Sequence, residues 1–451
     1  MDAMPYVPPV PVPPAAPLPL RAFLRAIRQN TLTIWPQAAY REDSVARNFL
    51  GRTNILLNTP DAIHHVLVDN HANYRRSPAS IRILRPITGN GLLLSSGDAW
   101  RLQRRTVAPA LAPRTMPLLC GHIMRSTNEA MDNLDTKTNA PVDMLSFMQT
   151  LALDIAGRSM FSLETQAFGP DMRRLLNEFA EFFAQPHLLD MLLPPSIPTP
   201  RDWARARFSK RWMHLIETIM AQRATIPADD SPKDLFDLLR NARDPETGAG
   251  FAPDELRDQV ATLILAGHET TAVTLFWACV LLAHAPDIQD WLAGEVAGLN
   301  LNADGIQAKL IRVRAVVNET MRLFPAAFTL VREAILPDTI GALHLPRRAV
   351  VMIAPWVLHR HHALWSNPEA FIPARFLPDA PGPPRFAFMP FGAGPRICVG
   401  AQFAMAEAVL VLASLVQRFE WTLDSTRPVL PRAVVTTQPD HAPPFRVTRR
   451  M

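Results

Sequence analysis

The stretch FMPFGAGPRICVGAQFAMAEA, residues 388–408, places one cysteine, Cys398, in a loop punctuated by glycine and proline, directly before a strongly helical run. Gly392, Gly394 and Gly400 allow positive φ and close backbone approach on both sides of the thiol. The helix that begins after it offers a positive end and free N–H groups, which favour a thiolate over a thiol. On these residues alone, Cys398 is a small core residue, a nucleophile or a metal ligand.

Composition and charge bound the class of protein. The chain has 451 residues, 48% of them hydrophobic, which is enough for a large core and too polar for a polytopic membrane protein. Its three cysteines, Cys120, Cys279 and Cys398, lie far apart, which predicts no disulfide and a reducing compartment. The formal charge is +5, but no nucleic-acid signature occurs, so a basic surface suits an acidic protein partner better than a nucleic acid.

The first twenty residues, MDAMPYVPPVPVPPAAPLPL, are rich in proline. Proline excludes both a signal helix and a membrane-spanning helix here, so we interpret residues 1–20 as an extended arm. Residues 21–451 show no internal repeat and no flexible linker, which predicts one large domain. We therefore expect a cytoplasmic protein with no transmembrane anchor.

The segments that follow the arm carry short-range signals. Residues 43–59 predict a hairpin, and residues 60–74 predict a helix with Pro60 in its first turn. Residues 77–100 are rich in turn-forming types and predict a loop, which precedes a helix over residues 101–111.

The rest of the chain predicts mostly helices. From about 115 to 300 nearly every segment has helical periodicity between proline breaks. Residues 334–355 and 431–450 predict strands on either side of the last helix. The fold class is therefore mainly α with a small β-rich lobe.

The longest helical pattern covers residues 254–286 and is hydrophobic on almost every face. Such a helix is either a buried central helix or a membrane span. His268, Glu269 and two threonines lie in its middle, and an ionisable residue at bilayer depth costs several kcal/mol. The pattern therefore favours a buried central helix.

The middle of this helix reads AGHETT, residues 266–271. Gly267 costs about 1 kcal/mol relative to alanine, and Glu269 costs more if it is buried unpaired. Glycine lets a flat group approach the backbone, and Thr270 can bond to the carbonyl of Ala266. A kinked core helix with a locally satisfied polar cluster is the competing interpretation.

A further pair, Glu319 and Arg322, lies at i and i+3 on one helical face before Pro325. Such pairs are usually solvated and contribute little. Arg375 lies further along among apolar and proline residues that suggest burial. We predict a structural ion triad of Glu319, Arg322 and Arg375.

Together these residues resemble the cytochrome P450 family. The loop matches the family signature Phe-x-x-Gly-x-Arg-x-Cys-x-Gly with Phe391, Gly394, Arg396, Cys398 and Gly400. Further matches occur in the family's order, and they are Trp100 with Arg104, the group Ala266, Gly267, Glu269, Thr270 and Thr271, the pair Glu319 and Arg322, and Arg375 in its Phe-x-Pro-x-Arg-Phe segment. They span residues 100 to 400.

The resemblance implies a haem-thiolate monooxygenase. It implies haem b with Cys398 as axial thiolate, the long helix across the opposite face of the ring, and insertion of one oxygen atom of O₂ into a hydrophobic organic substrate. Glu269 and Thr270 take the roles of proton delivery and hydrogen bonding to dioxygen. The residues expected at the haem are Trp100, Arg104, Ala266, Gly267, Arg332, Phe391, Gly392, Arg396, Cys398 and Gly400.

The resemblance also indicates where a substrate pocket would lie. Its apolar candidates are Ile81, Ile83, Leu84, Phe179, Phe183, Leu263, Ala266, Ala327, Phe328, Val434 and Val435. Arg82 and Arg85 could anchor a substrate carboxylate, but we interpret them as solvated loop charges. We likewise interpret His359, His361 and His362 as a surface turn rather than a metal cluster.

The chain ends soon after its last β segment, so we expect electrons from NAD(P)H to arrive through a separate reductase and iron–sulfur ferredoxin. Arg101 and Arg105 are candidates for docking the acidic ferredoxin, and the protein is expected to be a monomer. Three alternatives stay open: a peroxide-driven peroxygenase or isomerase, a non-catalytic haem-based gas sensor, and a cysteine hydrolase that uses Cys398 with a distant base.

Overall fold

A computed structural model describes residues 4–49, 51–136, 138, 140–163, 168–193, 196–226, 233–433 and 435–450. The α-helices within these ranges are α1 Leu20–Gln29, α2 Pro60–His64, α3 Pro78–Thr88, α4 Gly97–Val107, α5 Met116–Asp135, α6 Met144–Phe161, α7 Gly169–Glu178, α8 Leu188–Leu192, α9 Pro200–Ala224, α10 Leu235–Asn241, α11 Pro253–Ala283, α12 Pro286–Val296, α13 Ile311–Leu323, α14 Pro355–Leu358 and α15 Ala401–Arg418. The strands are β1 Ser44–Phe49, β2 Arg52–Leu57, β3 Tyr74–Arg76, β4 Pro141–Asp143, β5 Leu330–Ala334, β6 Asp338–Ile340, β7 Leu343–Leu345, β8 Val350–Ile353, β9 Phe419–Leu423, β10 Pro431–Ala433, β11 Thr437–Pro439 and β12 Pro444–Arg449. The predicted class, mainly α with a small β-rich part, is confirmed.

The largest sheet has five strands in the order β1-β2-β8-β5-β3. Strands β2 and β8 run parallel, and the other neighbours run antiparallel. The predicted hairpin over residues 43–59 is confirmed as β1 and β2. The edge strand β3 places Arg76 opposite Arg332 of β5, which matters for the site described below.

The helix predicted over residues 60–74 is confirmed in its first part. It begins at Pro60 and continues through a π-helical stretch, His65–Asp69. Tyr74, the last residue of the predicted helix, instead begins β3.

The loop predicted over residues 77–100 is wrong for its first half, which forms α3. Ser77 caps this helix by accepting a hydrogen bond from the backbone N–H of Ser80, and Pro78 occupies the first turn, where it breaks no hydrogen bond. Gly89, with φ +57°, follows the last turn. Turn-forming residue types here mark the two ends of a short helix, and the apolar Ile83 and Ile87 between them are buried.

The long helix α11 is confirmed as the central helix of the core. It packs against α6, α13, α15, α3 and α9. Its Trp277 stacks on Phe324 of the α13 end, with ring centroids 4.0 Å apart. In the described part of the chain, α11 and α15 are long and apolar enough to cross a membrane, but two thirds of each apolar window is buried inside the protein. Such burial is typical of core helices.

The described part of the proline-rich arm, residues 4–19, forms no helix or strand and lies on the body of the protein. Tyr6 stacks on His284 with ring centroids 4.6 Å apart, and its carbonyl accepts a hydrogen bond from the N–H of Phe371. Leu20, the last residue assigned to the arm, begins α1.

Candidate functional site

The Cys398 loop requires glycine at two positions. Gly392 and Gly394 have φ values of +74° and +71°. A Cβ on Gly394 would lie 2.0 Å from the carbonyl oxygen of Leu67, so no other residue fits there without a shift of backbone. The N–H of Cys398 donates to the carbonyl of Phe391 at 2.9 Å, which closes the loop.

The Cys398 side chain is accessible to solvent although protein atoms crowd around it on most sides. This combination is expected of a group that faces an internal recess rather than the outer surface. Burial raises the pKa of the thiol, and the Gly400 N–H and the Arg104 guanidinium oppose that rise only in part. The prediction that the loop by itself favours a thiolate is therefore wrong. A bound metal cation would deprotonate the thiol directly.

Three arginines gather near this loop. Arg76 and Arg332 face each other across β3 and β5, and the positive charge of Arg396 acts on both. Burial, followed by these like charges, lowers the pKa of Arg76 to about 9 and that of Arg332 to about 10. Within the described ranges none of the three forms an ion pair, and the buried Nε of Arg76 has no hydrogen-bond partner. Such a cluster is suited to an anion that carries more than one carboxylate.

Arg396 also connects this cluster to α4. Its guanidinium stacks 4.4 Å above the ring of Trp100, and its Nη2 donates to the carbonyl of Ser95 at 3.0 Å. Arg104 instead donates to the carbonyl of Ile397 at 2.7 Å, beside the thiol. The structure thus brings Trp100, Arg332 and Arg396 together and places Arg104 against the cysteine loop.

Arg76 was missed by sequence reasoning. It lies in the short strand Tyr74–Arg76, and no local motif distinguishes it from the preceding Arg75. Arg75 pairs with the carboxylate of Glu333, whereas Arg76 pairs with none in the described part of the chain. The difference arises from the strand pairing with β5, which the local sequence does not encode.

The middle of α11 is open to a flat group. Ala266 is exposed in the middle of a largely buried helix, and a Cβ placed on Gly267 would meet nothing within 4 Å. The Thr270 hydroxyl donates to the carbonyl of Ala266 at 2.6 Å, as predicted. The neighbouring His268 is buried on the other side, where burial lowers its pKa to about 4.

Glu269 is held by the hairpin of β10 and β11. The Thr436 hydroxyl and the Gln438 side-chain amide each donate to Oε1 of Glu269 at 2.8 Å. Neither partner was found from the sequence, because both lie far along the chain in a segment whose only local signal is β propensity. The two hydrogen bonds offset the cost of placing a carboxylate in an apolar helix.

The predicted ion triad is assembled at the end of α13. Glu319 and Arg322 form a fully buried ion pair at 2.7 Å, and the Nε of Arg375 lies 3.4 Å from Glu319. Arg322 also donates to the carbonyls of His359, Pro368 and Ala370. These contacts attach the segment before the cysteine loop to the core.

The surface turn predicted for His359, His361 and His362 is wrong for the first two, which are buried. Nε2 of His359 accepts a hydrogen bond from the N–H of Met389 at 3.0 Å, two residues before Phe391. Burial, assisted by the charges of Arg322 and Arg360, lowers the pKa of His359 to about 3, so it is a neutral acceptor. No group of three metal-ligating side chains is found among the residues described.

The predicted pocket residues are only partly brought together. The N–H of Thr437 donates to the carbonyl of Ala326, which places the β10–β11 turn, with Val435, beside Ala327 and Glu269. Leu263 lies on α11 between Gln259 and Gly267. The candidates Ile81, Ile83 and Leu84 lie on α3, which packs on α11; Phe179 and Phe183 contact Phe208 of α9; and Phe328 is buried in the core. Val434 lies outside the described residues.

The arginines assigned to other roles are engaged locally. Arg82 is buried and donates to the carbonyls of Leu189 and Ile197, so the interpretation of a solvated charge is wrong for it; Arg85 is exposed. Arg105 binds the carboxylates of Asp244 and Glu246 at 2.8 and 3.0 Å. Arg101 pairs with Asp98 and is largely exposed.

The described residues fit a haem in three respects. Ala266 and Gly267 offer a flat, open backbone surface. Arg76, Arg332 and Arg396 offer cations that lack protein carboxylates and suit two propionates. Cys398 offers an accessible sulfur in a recess. A helical fold of this kind with a cysteine-loop site defines a haem-thiolate class of protein.

Comparison with known proteins gives the same class. The family model for Cytochrome P450 matches residues 11–442, nearly the whole chain. The chain belongs to the cytochrome P450 family. It is an oxidoreductase of the monooxygenase class, for which the family implies a haem-thiolate cofactor and the use of O₂.

Two relatives and one solved structure illustrate the likeness. The chain is 32% identical over 80% of its length to cyclooctatin synthase of Streptomyces melanosporofaciens, and 30% identical over 78% to cytokinin hydroxylase of Arabidopsis thaliana. The match spans 79% of the length of cyclooctatin synthase and 70% of that of cytokinin hydroxylase. It spans 65% of the length of a third relative, Protein LUTEIN DEFICIENT 5 of Arabidopsis thaliana. A crystal structure of a cytochrome P450 superposes with a TM-score of 0.83 at 22% identity, over 98% of this chain and all of the other, which shows the fold.

Proposed function

We propose that this protein hydroxylates a hydrophobic small molecule by inserting one oxygen atom of O₂, with electrons delivered from NAD(P)H by a separate reductase and an iron–sulfur ferredoxin. The observation that carries the proposal is the arrangement of Glu269 and Thr270 on the open face of α11, with each side chain held by a specific hydrogen bond. A haem bound here supplies the iron at which O₂ is reduced.

The haem would be held by groups on three sides. Cys398 would ligate the iron through its sulfur, and Ala266 and Gly267 would face the ring. Arg76, Arg332 and Arg396 would bind the propionates, with Trp100 supporting Arg396 through their stacking. Arg104 lies close enough to the thiol to favour its ionised form.

Glu269 and Thr270 would manage protons. Oε1 of Glu269 is occupied by Thr436 and Gln438, which leaves Oε2 to take up and release a proton. The Thr270 hydroxyl donates to Ala266, so its lone pairs remain free to accept a hydrogen bond from a water molecule. A proton passed from Glu269 through such a water reaches the open face of α11.

The substrate side of the proposal rests on apolar side chains. Ile83 lies on α3, which packs on α11; Leu263 lies on α11 itself; and Val435 precedes Thr436, which binds Glu269. Apolar linings of this kind bind hydrophobic ligands. We propose a soluble cytoplasmic monomer, in keeping with the burial of α11 and α15 in the core.

Of the two arginines in the ferredoxin-docking proposal, Arg101 is the better supported. Arg105 is already committed to two carboxylates, so its charge is neutralised locally. Among the described residues Arg101 pairs with Asp98 alone, at the surface, and such a pair contributes little. An acidic ferredoxin would therefore dock beside the exposed Arg101 and the exposed Ile397 of the cysteine loop.

The test begins with the purified protein and its reduced CO adduct, which should show the red-shifted Soret band of thiolate ligation. Thr270→Ala should lower the ratio of product formed to electrons consumed about tenfold, because proton delivery becomes uncontrolled. Thr274→Ala is the matched control, since Thr274 makes the same kind of bond, to the carbonyl of Thr270, one turn later. A colourless protein, or unchanged coupling in Thr270→Ala, would contradict the proposal.

A further inference from the structure

Residues 87–92 comprise the last two residues of α3 and the four that follow it, and side chains from three helices hydrogen-bond to their backbone. Trp212 of α9 donates to the carbonyl of Ile87 at 2.8 Å, and Gln103 of α4 donates to that of Asn90 at 3.1 Å. The remaining bonds involve α11. The Thr262 hydroxyl donates to the carbonyl of Thr88 at 3.2 Å. The N–H of Asn90 donates to Asp258 at 2.7 Å, and the N–H of Leu92 donates to the side-chain oxygen of Gln259 at 2.9 Å. We call residues 87–92 the clamped segment.

Two glycines allow the clamped segment to lie directly on α11. A Cβ on Gly91 would lie 2.2 Å from Oγ1 of Thr262 and 2.6 Å from the carbonyl oxygen of Asp258. Gly89, with φ +57°, would place a Cβ 2.3 Å from the Asp258 carboxylate. The contact is therefore backbone against helix, with no side chain between them.

Asp258 is the centre of this arrangement. It is buried, its Oδ2 accepts from Asn90, and its Oδ1 accepts from Arg257 at 2.9 and 3.1 Å. Arg257 in turn donates to Glu217 of α9 at 2.8 Å. One carboxylate thus binds the clamped segment and, through Arg257, the outer helix α9.

The clamped segment lies over the same stripe of α11 as the proposed oxidation site. Asp258, Thr262 and Ala266 are four residues apart, so they follow one face of the helix. Thr262 precedes Ala266 by about 6 Å along the axis. Residues 87–92 therefore contact α11 about one turn before Ala266 and Gly267.

We propose that Asp258 is a positioning residue that holds the clamped segment as a rigid wall of the oxidation site, and so sets which hydrophobic substrates fit and how they are oriented. This inference rests on the proposed function. It assigns the specificity of the site to the backbone of a six-residue segment rather than only to the apolar side chains around it. The Arg257 bridge to Glu217 is a separate contact that the wall does not need.

Four variants of the haem-loaded protein separate these contacts. Asp258→Ala removes both, and Asp258→Asn keeps an oxygen that can accept from Asn90 but loses the charge that binds Arg257. Arg257→Met removes only the bridge to Glu217. Asp254→Asn, in the exposed first turn of the same helix, is the matched control.

Two measurements test whether the clamped segment is held in place and limits the space at the site. Hydrogen exchange reports the amides of residues 87–92 directly. The affinity for 4-phenylimidazole depends on the space beside the iron, because its phenyl ring must fit there. The affinity for the smaller imidazole depends only on access to the metal and serves as the reference. Asp258→Ala should raise exchange in the clamped segment at least tenfold and weaken 4-phenylimidazole at least tenfold, with imidazole within twofold. Asp258→Asn, Arg257→Met and Asp254→Asn should stay within threefold of the parent in both.

Gly91→Ala provides a second route if Asp258→Ala does not fold, because its Cβ would push the segment off α11, and it should give the same two changes. Unchanged exchange, or raised exchange with an unchanged ratio of the two ligand affinities, would overturn the positioning role. A protein that lacks the thiolate-type CO band would overturn the proposed function instead, and the exchange measurement would still decide whether Asp258 holds the segment.

Discussion

Single side chains in this protein acquire their roles from partners distant in sequence. Glu269 is the clearest case, because Thr436 and Gln438 both donate to the same oxygen of its carboxylate. Hydrogen bonds to a charged group are worth about 1.5–3 kcal/mol each. The carboxylate is therefore held in one orientation on α11, and the proposed role in proton transfer falls to its second oxygen.

At this scale we predict that the paired change Thr436→Val with Gln438→Leu lowers the coupling of electrons to product about tenfold, since Glu269 loses both anchors. Each single change should have a smaller effect. The measurement is product formed per NAD(P)H consumed in a reconstituted assay. Thr437→Val is the control, because that hydroxyl donates to the carbonyl of Pro325 rather than to Glu269. Full coupling in the paired variant would contradict the role given to these anchors.

Among the elements, the cysteine loop depends on contacts made by the β-rich part of the fold. Gly394 lies against the carbonyl of Leu67 in the π-helical stretch His65–Asp69. His359 fixes the other end of the loop through the N–H of Met389. The thiol is therefore positioned by backbone packing between elements and not by the loop alone.

We predict that Gly394→Ala destabilises the protein by about 1–3 kcal/mol, because it combines an unfavourable φ with a clash against backbone. Haem retention should fall with it. Gly382→Ala is a matched control, since Gly382 also has a positive φ of +67° but a Cβ there would meet nothing within 4 Å. Urea unfolding and haem content measure both effects, and equal losses in the two variants would show that the contact with Leu67 is unimportant.

Over the whole molecule, buried histidines couple stability to pH. Burial lowers the pKa of His359 to about 3 from an ordinary value of 6.5, and that of His268 to about 4. The unfolded chain therefore binds these protons first as the pH falls. Each histidine contributes full stability above about pH 6.5, and that contribution is lost progressively toward its folded pKa at about 1.4 kcal/mol per pH unit.

We predict that His359→Gln lowers the slope of the free energy of unfolding against pH between about pH 6 and pH 4. The decrease should be about 1.4 kcal/mol per pH unit, which corresponds to one proton. Glutamine can still accept the hydrogen bond from Met389, but it does not titrate. The free energy of unfolding in urea, measured across this pH range, checks the prediction. His362→Gln, at an exposed position, is the control variant, and equal slopes for His359→Gln and the parent would contradict the assignment.

The local sequence was sufficient wherever neighbouring residues set the geometry. The glycine pattern around Cys398, the apolar character of α11, the Thr270 bond to Ala266 and the hairpin at residues 43–59 all follow from short-range preferences, and the structure contains each of them. The sequence could also predict the triad of Glu319, Arg322 and Arg375, because Glu319 and Arg322 lie one turn apart on the same helix.

Only the tertiary structure decided which distant groups meet. It placed Arg76 beside Arg332, brought Thr436 and Gln438 to Glu269, buried His359 under the cysteine loop and turned part of a predicted loop into α3. The reason is physical: strand register and helix packing are set by burial summed over the whole core, so the partner of a polar side chain can lie anywhere along the chain. For this protein, the sequence by itself determined the glycine-rich cysteine loop and the family resemblance that implies haem-thiolate chemistry at Cys398, and the fold determined which distant side chains meet.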